Sequence, residues 1–470
     1  MMANGMYVFN GIDAITGTYL LPPLPPADVA RVALGEKLDE EHRRQLDWRN
    51  ERRLFKSLGV QAGIDADDLA QAGWGVIFAH DADPAIRAAL APLLAHRQAC
   101  AGSRYRLFWG EDGHRPEERS WDFLRRFRHA PAGPVDPERV PYYLLIVGEP
   151  EAIPYRFQYM LDAQFAVGRI AFDTPEEYAQ YAQSVVRAET GGIAKPASAA
   201  FFGVRNAGDQ ATQMSADDLV APLAKSFAEG HADWAVTQAV GAAASKARLS
   251  DLLGGRDAPR MLFSASHGMG FPCGDPLQFE RQGALLCQDW PGPLQHRGAI
   301  PPDFYFCAED VGDAADVAGM VAFLFACFGG GTPRLDDFSH AAFTQPGQIA
   351  PRAFVAALPK RLLAHPRGGA LAVVAHVERA WGYSFAWPGV GPQLQVFEST
   401  LSRLASGHPI GHALEYFNDR YSQLAALLTT QIEDAKFQKN IDEFEIANTW
   451  TAHNDARSYV IVGDPAVRLA

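Results

Sequence analysis

Short apolar stretches recur along this 470-residue chain, and helix-like segments separate many of them. Each stretch is almost continuously hydrophobic, which is typical of strands that are buried on both faces of a parallel sheet. Strands are predicted at Trp74–His80, Tyr105–Trp109, Tyr142–Val147, Ala166–Phe172, Ala199–Arg205, Met261–Ser266, Phe304–Cys307, Met320–Ala326, Ala370–Val377 and Tyr459–Val462. Strands that alternate with helices indicate an α/β fold with a mainly parallel sheet flanked by helices.

Helix signals divide the chain into two regions. Thr174, Pro175 and Glu177 fit the N-cap, the first helical position and the capping-box partner of one helix, and a Gly-Gly pair followed by Pro196 ends it. A domain boundary is therefore expected here, with an N-terminal region over residues 1–195 and a second region over residues 196–470. Other helices are predicted at Glu36–Arg53, which is densely charged, from Ser215 onward, and around residues 414–428.

The composition restricts the class of protein. Hydrophobic residues make up 48% and charged residues 21% of the chain, which is typical of a globular protein long enough for two cores. The formal net charge of −13 argues against a nucleic-acid-binding surface and against docking on anionic lipid. Five cysteines without paired spacing suggest reduced thiols. With no signal peptide or membrane span in the sequence, we expect a cytoplasmic protein.

A histidine and a cysteine each follow a predicted strand. The strand at Met261–Ser266 runs directly into His267 and Gly268, and the strand at Met320–Ala326 runs into Cys327 and three glycines. Functional side chains gather at the carboxyl ends of parallel strands, and a cysteine nucleophile needs a nearby base. Either residue alone is more typical of a structural histidine or an inert buried thiol. Together they predict a catalytic pair.

Several segments resemble the gingipain family of caspase-like cysteine peptidases. The His-Gly and Ala-Cys motifs are similar to those of caspase-like peptidases in general. The segments that resemble gingipains in particular are Tyr142–Glu149 with Ile153-Pro154, Ala166–Ile170 with Glu176-Glu177 and Arg187–Glu189, Gly369–Ala375, and Val462–Pro465. In order along the chain, they cover roughly residues 140 to 470.

The resemblance implies a fold and a set of roles. It implies two caspase-like subdomains side by side, with only the second carrying the dyad. The N–H groups of Gly268 and Cys327 would form the oxyanion hole. A glutamate orients the histidine in that family, and the corresponding stretch here has none. Asp209 is the candidate substitute.

The resemblance also suggests how a substrate is selected. In arginine-specific gingipains, an aspartate near the start of a helix holds the cationic side chain before the cut. Asp217 and Asp218 lie in the comparable stretch, and Trp381 resembles the tryptophan that walls the pocket. The alternative is that both acids only cap a helix and that Trp381 is a core aromatic residue.

The sequence therefore predicts a cysteine endopeptidase that uses Cys327 and His267, cleaves protein or peptide substrates after a basic residue, and requires no cofactor or metal. Cys273, Cys287, His296 and Cys307 lack the spacing of a zinc site. Related intracellular proteases of antiphage or cell-death systems match the expected compartment, and an activating protein partner is compatible with this interpretation. The alternative is a caspase-like scaffold or regulatory module with little or no turnover.

Overall fold

The architecture is a single large sheet covered by helices. A computed structural model describes residues 2–3, 6–7, 11–20, 25–26, 29–30, 59–131, 133–193, 195–336, 347–387, 390–436 and 442–469. Within them, the main strands in chain order are β1 Trp74–Phe78, β2 Tyr105–Phe108, β3 Tyr143–Val147, β4 Ala166–Ile170, β5 Ser198–Gly203, β6 Ala235–Val240, β7 Met261–Ala265, β8 Val321–Phe325, β9 Ala372–His376 and β10 Tyr459–Gly463. Their spatial order is β2-β1-β3-β4-β10-β9-β8-β7-β5-β6.

The helices lie between the strands. In chain order they are α1 Leu69–Ala72, α2 Pro84–Ala89, α3 Ala91–Ala101, α4 Ser120–Arg126, α5 Tyr155–Asp162, α6 Pro175–Glu189, α7 Gln210–Met214, a π-helical segment Ser215–Val220, α8 Ala221–Gly230, α9 Lys246–Leu252, α10 Gln278–Arg281, α11 Ala357–Leu363, α12 Gln395–Ala405, α13 Ile410–Ala413, α14 Glu415–Lys436 and α15 Glu443–Arg457. Since most strands are buried along their whole length, both faces of the sheet are covered.

Small β-pairs flank the main sheet. They join Met2–Ala3 with Met6–Tyr7, Ile12–Asp13 with Met269–Gly270, Leu285–Leu286 with Tyr305–Phe306, Gly331–Thr332 with Phe354–Val355, and Ala386–Trp387 with Gly391–Pro392. The pair between Ile12–Asp13 and Met269–Gly270 is parallel and joins segments that are far apart in the chain. It places residues 12 and 13 next to the segment that follows β7.

One antiparallel junction divides the main sheet into two halves. β9 and β10 are antiparallel, whereas every other neighbouring pair of the ten strands is parallel. The strands β2, β1, β3, β4 and β10 therefore run in one direction, and β9, β8, β7, β5 and β6 run in the other. The last strand of the chain, β10, lies in the middle of the sheet and is parallel to β4 of the first half. The division at residues 195 and 196 stays a prediction.

The mainly parallel α/β sheet predicted from the hydrophobic stretches is present. The sequence misses one strand of the sheet, and one of the predicted strands is wrong. The missed strand is the edge strand β6, which contains Thr237 and Gln238 and is largely exposed, so it lacks a buried apolar run. The stretch Phe304–Cys307 is not part of the main sheet, since only Tyr305–Phe306 is extended there and it pairs with Leu285–Leu286.

Two of the predicted helices are present, and the predicted start of a third is wrong. The capping box of α6 is confirmed: the Thr174 hydroxyl accepts from the Glu177 N–H, and the Glu177 carboxylate accepts from the Thr174 N–H. A helix start at Ser215 is wrong, because Asp209 caps the preceding helix α7 and Ser215 continues it as a π-helical segment. The predicted C-terminal helix is α14. The segment Glu36–Arg53 lies outside the described residues.

A buried ionic cluster fixes β10 to the first half. Asp464, directly after β10, accepts hydrogen bonds from Trp74 Nε1 at 2.9 Å and from Arg97 Nε at 2.6 Å. Arg97 also forms two hydrogen bonds of 2.7 Å with Glu189 at the end of α6. Burial opposes ionisation of Glu189, but Arg97 and His96 outweigh it and lower its pKa to about 2. The end of the chain is therefore held by charges from two helices.

Within the described parts of the chain, no helix combines the length and the apolar composition that crossing a membrane requires.

Replacing Asp464 by alanine is expected to destabilise the fold strongly. The change leaves the buried Arg97 guanidinium with Glu189 alone, and breaking a buried ion pair typically costs about 3–5 kcal/mol. Glu229→Ala, which removes an exposed partner of Lys225, is the matched control and should change the free energy of unfolding by less than about 0.5 kcal/mol. Urea denaturation of both variants measures the difference, and equal midpoints would contradict the role of Asp464.

Candidate active site

Three neighbouring parallel strands end at the same level of the sheet. β7 is hydrogen-bonded to both β5 and β8, and Ala265 at its end lies opposite the last residue of each. The segments that follow these ends carry Asp209 after β5, His267 after β7 and Cys327 after β8. Because the strands are parallel and adjacent, the three side chains converge on one edge of the sheet.

The backbones at the ends of β7 and β8 touch. A Cβ atom built on Gly268 would overlap the main-chain carbonyl of Cys327, and it would also lie 2.8 Å from the Cys327 nitrogen. A residue with a side chain would therefore force the two strand ends apart. Gly268 thus has a steric role next to the cysteine, in addition to the N–H group for which the sequence singled it out.

His267 is held by a carboxylate. Its Nε2 lies 2.6 Å from Asp209 Oδ2, and both side chains are fully buried. Asp209 also accepts hydrogen bonds of 2.7 Å from the hydroxyls of Tyr19 and Thr212. Burial disfavours the ionised carboxylate, but His267 and these donors outweigh it and lower the pKa of Asp209 to about 2. An ionised Asp209 accepts the Nε2 hydrogen of the imidazole, so Nδ1 of the neutral ring carries the lone pair.

That lone pair is occupied by the main chain of Gly11. The Gly11 N–H donates to His267 Nδ1 at 3.1 Å in a buried hydrogen bond. A Cβ atom on Gly11 would lie 3.2 Å from Cys327 Sγ. Gly11 therefore binds the imidazole and lies beside the thiol with no space for a side chain between them. It takes the hydrogen-bonding position on the imidazole that a proton from Cys327 would need.

Cys327 is fully buried and protonated in this conformation. Burial raises the pKa of its thiol to about 12, although the Ala380 N–H, 3.2 Å from Sγ, and the nearby Arg379 guanidinium act in the opposite direction. The next residue, Phe328, has a φ of 58° and donates its N–H to the Glu378 carbonyl at 2.6 Å. This left-handed turn ends β8 and sets the position of the thiol.

Two N–H groups close to the thiol are available as donors in the part of the chain that the structure describes. Among the described residues, neither the Gly268 N–H nor the Cys327 N–H donates a hydrogen bond to another protein group. Buried backbone N–H groups are normally paired, so these two donors are available to donate hydrogen bonds to a ligand oxygen at this point. The arrangement is compatible with the oxyanion hole that the family resemblance implies.

The loop after β9, residues 377–385, is held by hydrogen bonds on the other side of Cys327 and is called the braced loop below. Arg379 donates to both oxygens of Asp336, at 2.8 and 2.9 Å, and both side chains are buried. The Trp381 N–H donates to Asp455 at 2.9 Å, and Ser384 donates to the same carboxylate at 2.6 Å. Trp381 is itself almost fully buried. These bonds fix the loop that supplies Ala380 to the thiol.

The two acids proposed for substrate selection are not brought to the dyad by any described contact. Asp217 is half exposed and pairs with Arg205 at 3.1 Å, and Asp218 is partly buried. Burial and the neighbouring Asp217 raise the pKa of Asp218. Neither acid forms a described hydrogen bond or ion pair with His267, Cys327 or Trp381, so their part in a pocket stays a prediction.

A cavity with a different carboxylate lies beside the braced loop. Its volume is about 490 Å³, and its lining includes Tyr383, Trp387 and Tyr416 together with Asp419. Burial, followed by the charge of Glu415, raises the pKa of Asp419 to about 6. The sequence did not point to this cavity, because its walls come from the loop after β9, from α12 and from α14, and no local motif connects these three segments.

A second group of titratable residues lies elsewhere. His408 and His412 each approach one oxygen of Asp67 through Nδ1, at 2.6 and 2.8 Å. The two imidazoles lower the pKa of Asp67, although burial opposes them. These residue types can bind a metal ion, but each imidazole already donates a hydrogen to the carboxylate, so the three groups satisfy one another without one.

Comparisons with known proteins give only distant similarity. No protein-family model matches the chain, and no curated protein matches it in sequence. Solved structures that are similar include one described as "Structure of Protease", with 12% identity and a TM-score of 0.44 over 84% of this chain and 78% of that chain. Another is the complex of Porphyromonas gingivalis RgpB pro- and mature domains, with 11% identity and a TM-score of 0.47 over 84% and 79%. These values are too low to assign a family.

The buried thiol leads to a prediction about alkylation. Because the thiolate is the reactive form, iodoacetamide at pH 7 should modify Cys327 far more slowly than the exposed Cys273. The Cys327 rate should rise about tenfold per pH unit between pH 7 and about pH 10, since the pKa lies above this range. Peptide mass spectrometry of the folded protein measures both sites. Equal rates at pH 7 would contradict the buried, protonated state.

Proposed function

We propose that this chain is a cysteine endopeptidase with a caspase-like fold, in which Cys327 is the nucleophile and His267 its base. The observation that carries the proposal is the buried series of Asp209, His267 and the Cys327 strand end on three adjacent parallel strands. A base oriented by a carboxylate, beside a cysteine and two unpaired N–H groups, is the set of groups that acyl transfer requires.

The geometry supports one order of proton transfers. With Gly11 displaced, His267 Nδ1 takes the proton of the Cys327 thiol, and Asp209 stabilises the imidazolium through Nε2. The thiolate attacks the carbonyl carbon of a peptide bond, and the N–H groups of Gly268 and Cys327 bind the resulting oxyanion. His267 then gives its proton to the leaving amine, which leaves a thioester. A water molecule that donates its proton to His267 hydrolyses the thioester and releases the acid.

Cleavage after a basic residue is part of the proposal. A carboxylate recognises Arg or Lys through charge-assisted hydrogen bonds, and aromatic rings add favourable contacts with the cation. Asp217 and Asp218, with Trp381 as a wall, are the acids expected from the sequence. Asp419, which lines a cavity with three aromatic rings, is a second carboxylate that can recognise Arg or Lys in this way.

The alternative function is an inert scaffold or regulatory module. The buried thiol with its raised pKa favours it, because such a thiol is a poor nucleophile as it stands. The cytoplasmic location, the role in defence or cell death and an activating partner stay predictions from the sequence.

Cleavage of casein tests the enzymatic proposal. After prolonged incubation, mass spectrometry should detect new termini with the wild type and none with Cys327→Ala, because the acyl-enzyme cannot form without the thiol. The residue before each cut should be Arg or Lys. Cuts after Asp would contradict the basic preference without affecting the dyad, and identical cuts with both proteins would contradict Cys327 as the nucleophile.

A second variant tests the orienting acid. Asp209→Asn removes the charge that stabilises the imidazolium and favours the wrong tautomer of His267, so kcat should fall by about 10²- to 10⁴-fold with a smaller change in KM. Asp316→Asn, which alters an exposed partner of Lys195, is the matched control and should retain wild-type kcat. Peptide hydrolysis kinetics measure both variants, and a kcat of Asp209→Asn within a factor of two would exclude an orienting role.

A further inference from the structure

Residues Gly11–Leu20 form a closed hairpin above the site. The Leu20 N–H donates to the Gly11 carbonyl at 3.0 Å, and the Asp13 N–H donates to the Thr18 carbonyl at 2.8 Å. The Asp13 carboxylate also accepts from the Thr16 N–H at 2.7 Å in the turn. The hairpin therefore keeps its shape through its own hydrogen bonds.

The first strand of the hairpin is added to the edge that follows His267. Ile12–Asp13 pairs in parallel with Met269–Gly270, and the Ala14 N–H donates to the Gly270 carbonyl at 2.9 Å. On its other side, Ala14 accepts a hydrogen bond of 2.9 Å from the Ile300 N–H. Ile12 is fully buried in this position. An extended peptide that binds by strand addition would use these same main-chain groups.

The hairpin also contacts all three members of the site. Gly11 donates to His267 Nδ1 and lies against the Cys327 thiol, while the Tyr19 hydroxyl donates to Asp209. The Tyr19 ring packs edge-on against the His267 ring, with 6.0 Å between the ring centroids. One short segment thus engages the acid, the base and the nucleophile together.

We propose that residues 11–20 occupy the place where the main chain of a peptide substrate binds, and that they keep His267 and Cys327 latent until they are displaced. The inference rests on the proposed function, because it identifies the edge Met269–Gly270 as the part of the same site that binds the substrate backbone. The occupant that displaces the hairpin is an extended polypeptide, recognised by main-chain hydrogen bonds along that edge.

The contacts of Gly11 explain why the hairpin blocks proton transfer from Cys327 to His267. They also explain why the hairpin is not itself cleaved at Gly11. It presents an N–H group to the base, so the His267 lone pair cannot accept the thiol proton. The Gly11 carbonyl points back into the hairpin, where it accepts from Leu20, and is not offered to Cys327. Gly11 has a φ of 98°, and a Cβ atom there would lie 2.7 Å from the Leu20 side chain. Only glycine fits this path, so an ordinary substrate must follow a different one at this point.

Substitution of Gly11 tests the inference in the full-length chain. Gly11→Ala places a methyl group against Leu20 and Cys327 at a strained φ, which should loosen the hairpin and raise the iodoacetamide labelling rate of Cys327 at least tenfold. Gly63→Ala is the matched control: its φ of 89° imposes comparable backbone strain, but no atom lies within 4 Å of the new methyl group. Its Cys327 rate should equal that of the wild type.

The outcomes separate the hairpin from the enzymatic proposal. Equal Cys327 labelling in folded wild type, Gly11→Ala and Gly63→Ala would overturn latency, even if the wild type cleaves casein. Faster labelling of Gly11→Ala without casein cleavage by any variant would support the hairpin inference and contradict the peptidase.

Circular dichroism checks whether each variant is folded. If Gly11→Ala does not fold, Tyr19→Phe decides, since loss of the hydrogen bond to Asp209 should raise labelling severalfold and an unchanged rate would overturn the inference.

A peptide supplied in trans tests occupancy directly. A synthetic peptide of residues 11–20 should slow Cys327 labelling of Gly11→Ala back toward the wild-type rate, because it can enter the vacated edge. The same peptide with alanine in place of Gly11 is the control and should have no effect. If neither peptide protects Cys327 at millimolar concentration, or if both protect equally, the specific occupancy by Gly11 is wrong.

Discussion

The site depends on the register of three parallel strands. Because β5, β7 and β8 pair without offset at their ends, Asp209, His267 and Cys327 emerge from the sheet side by side although they are far apart in the chain. The absence of a side chain at Gly268 lets the ends of β7 and β8 touch. A shift of one strand by a single residue would turn each side chain to the opposite face and separate the imidazole from the thiol.

Because of the antiparallel junction at β9 and β10, only one half of the sheet carries the candidate site, and the other half supports it. Carboxyl ends of the second half, where the candidate site lies, face one edge, and those of the first half face the other. The first half therefore supplies no strand end to the dyad. Its buried charges serve packing instead: Arg97 and Asp464 fix β10, and β10 in turn supports β9 and the braced loop next to Cys327.

Sequence patterns were informative where the signal is local. Continuous apolar runs identify the buried strands, and the placement of His267 and Cys327 after two of them indicates a shared edge. The patterns fail for β6, which is exposed, and for the start of α7, where Asp209 and not Ser215 is the cap. The pairing of Asp209 with His267 depends on strand order, which local residues do not encode, so it could only be proposed as a substitute.

The hairpin at Gly11–Leu20 left no signal that sequence reasoning detected, for a physical reason. Its contacts with the site are mostly made by main-chain groups, which every residue carries, and only Gly11 and Tyr19 contribute through their residue type. The same contacts couple the three site groups. Displacing the hairpin frees the His267 lone pair and removes a hydrogen bond from Asp209. It also admits water near Cys327, which weakens the burial that raises the thiol pKa. Acid, base and nucleophile therefore change state together when one segment moves.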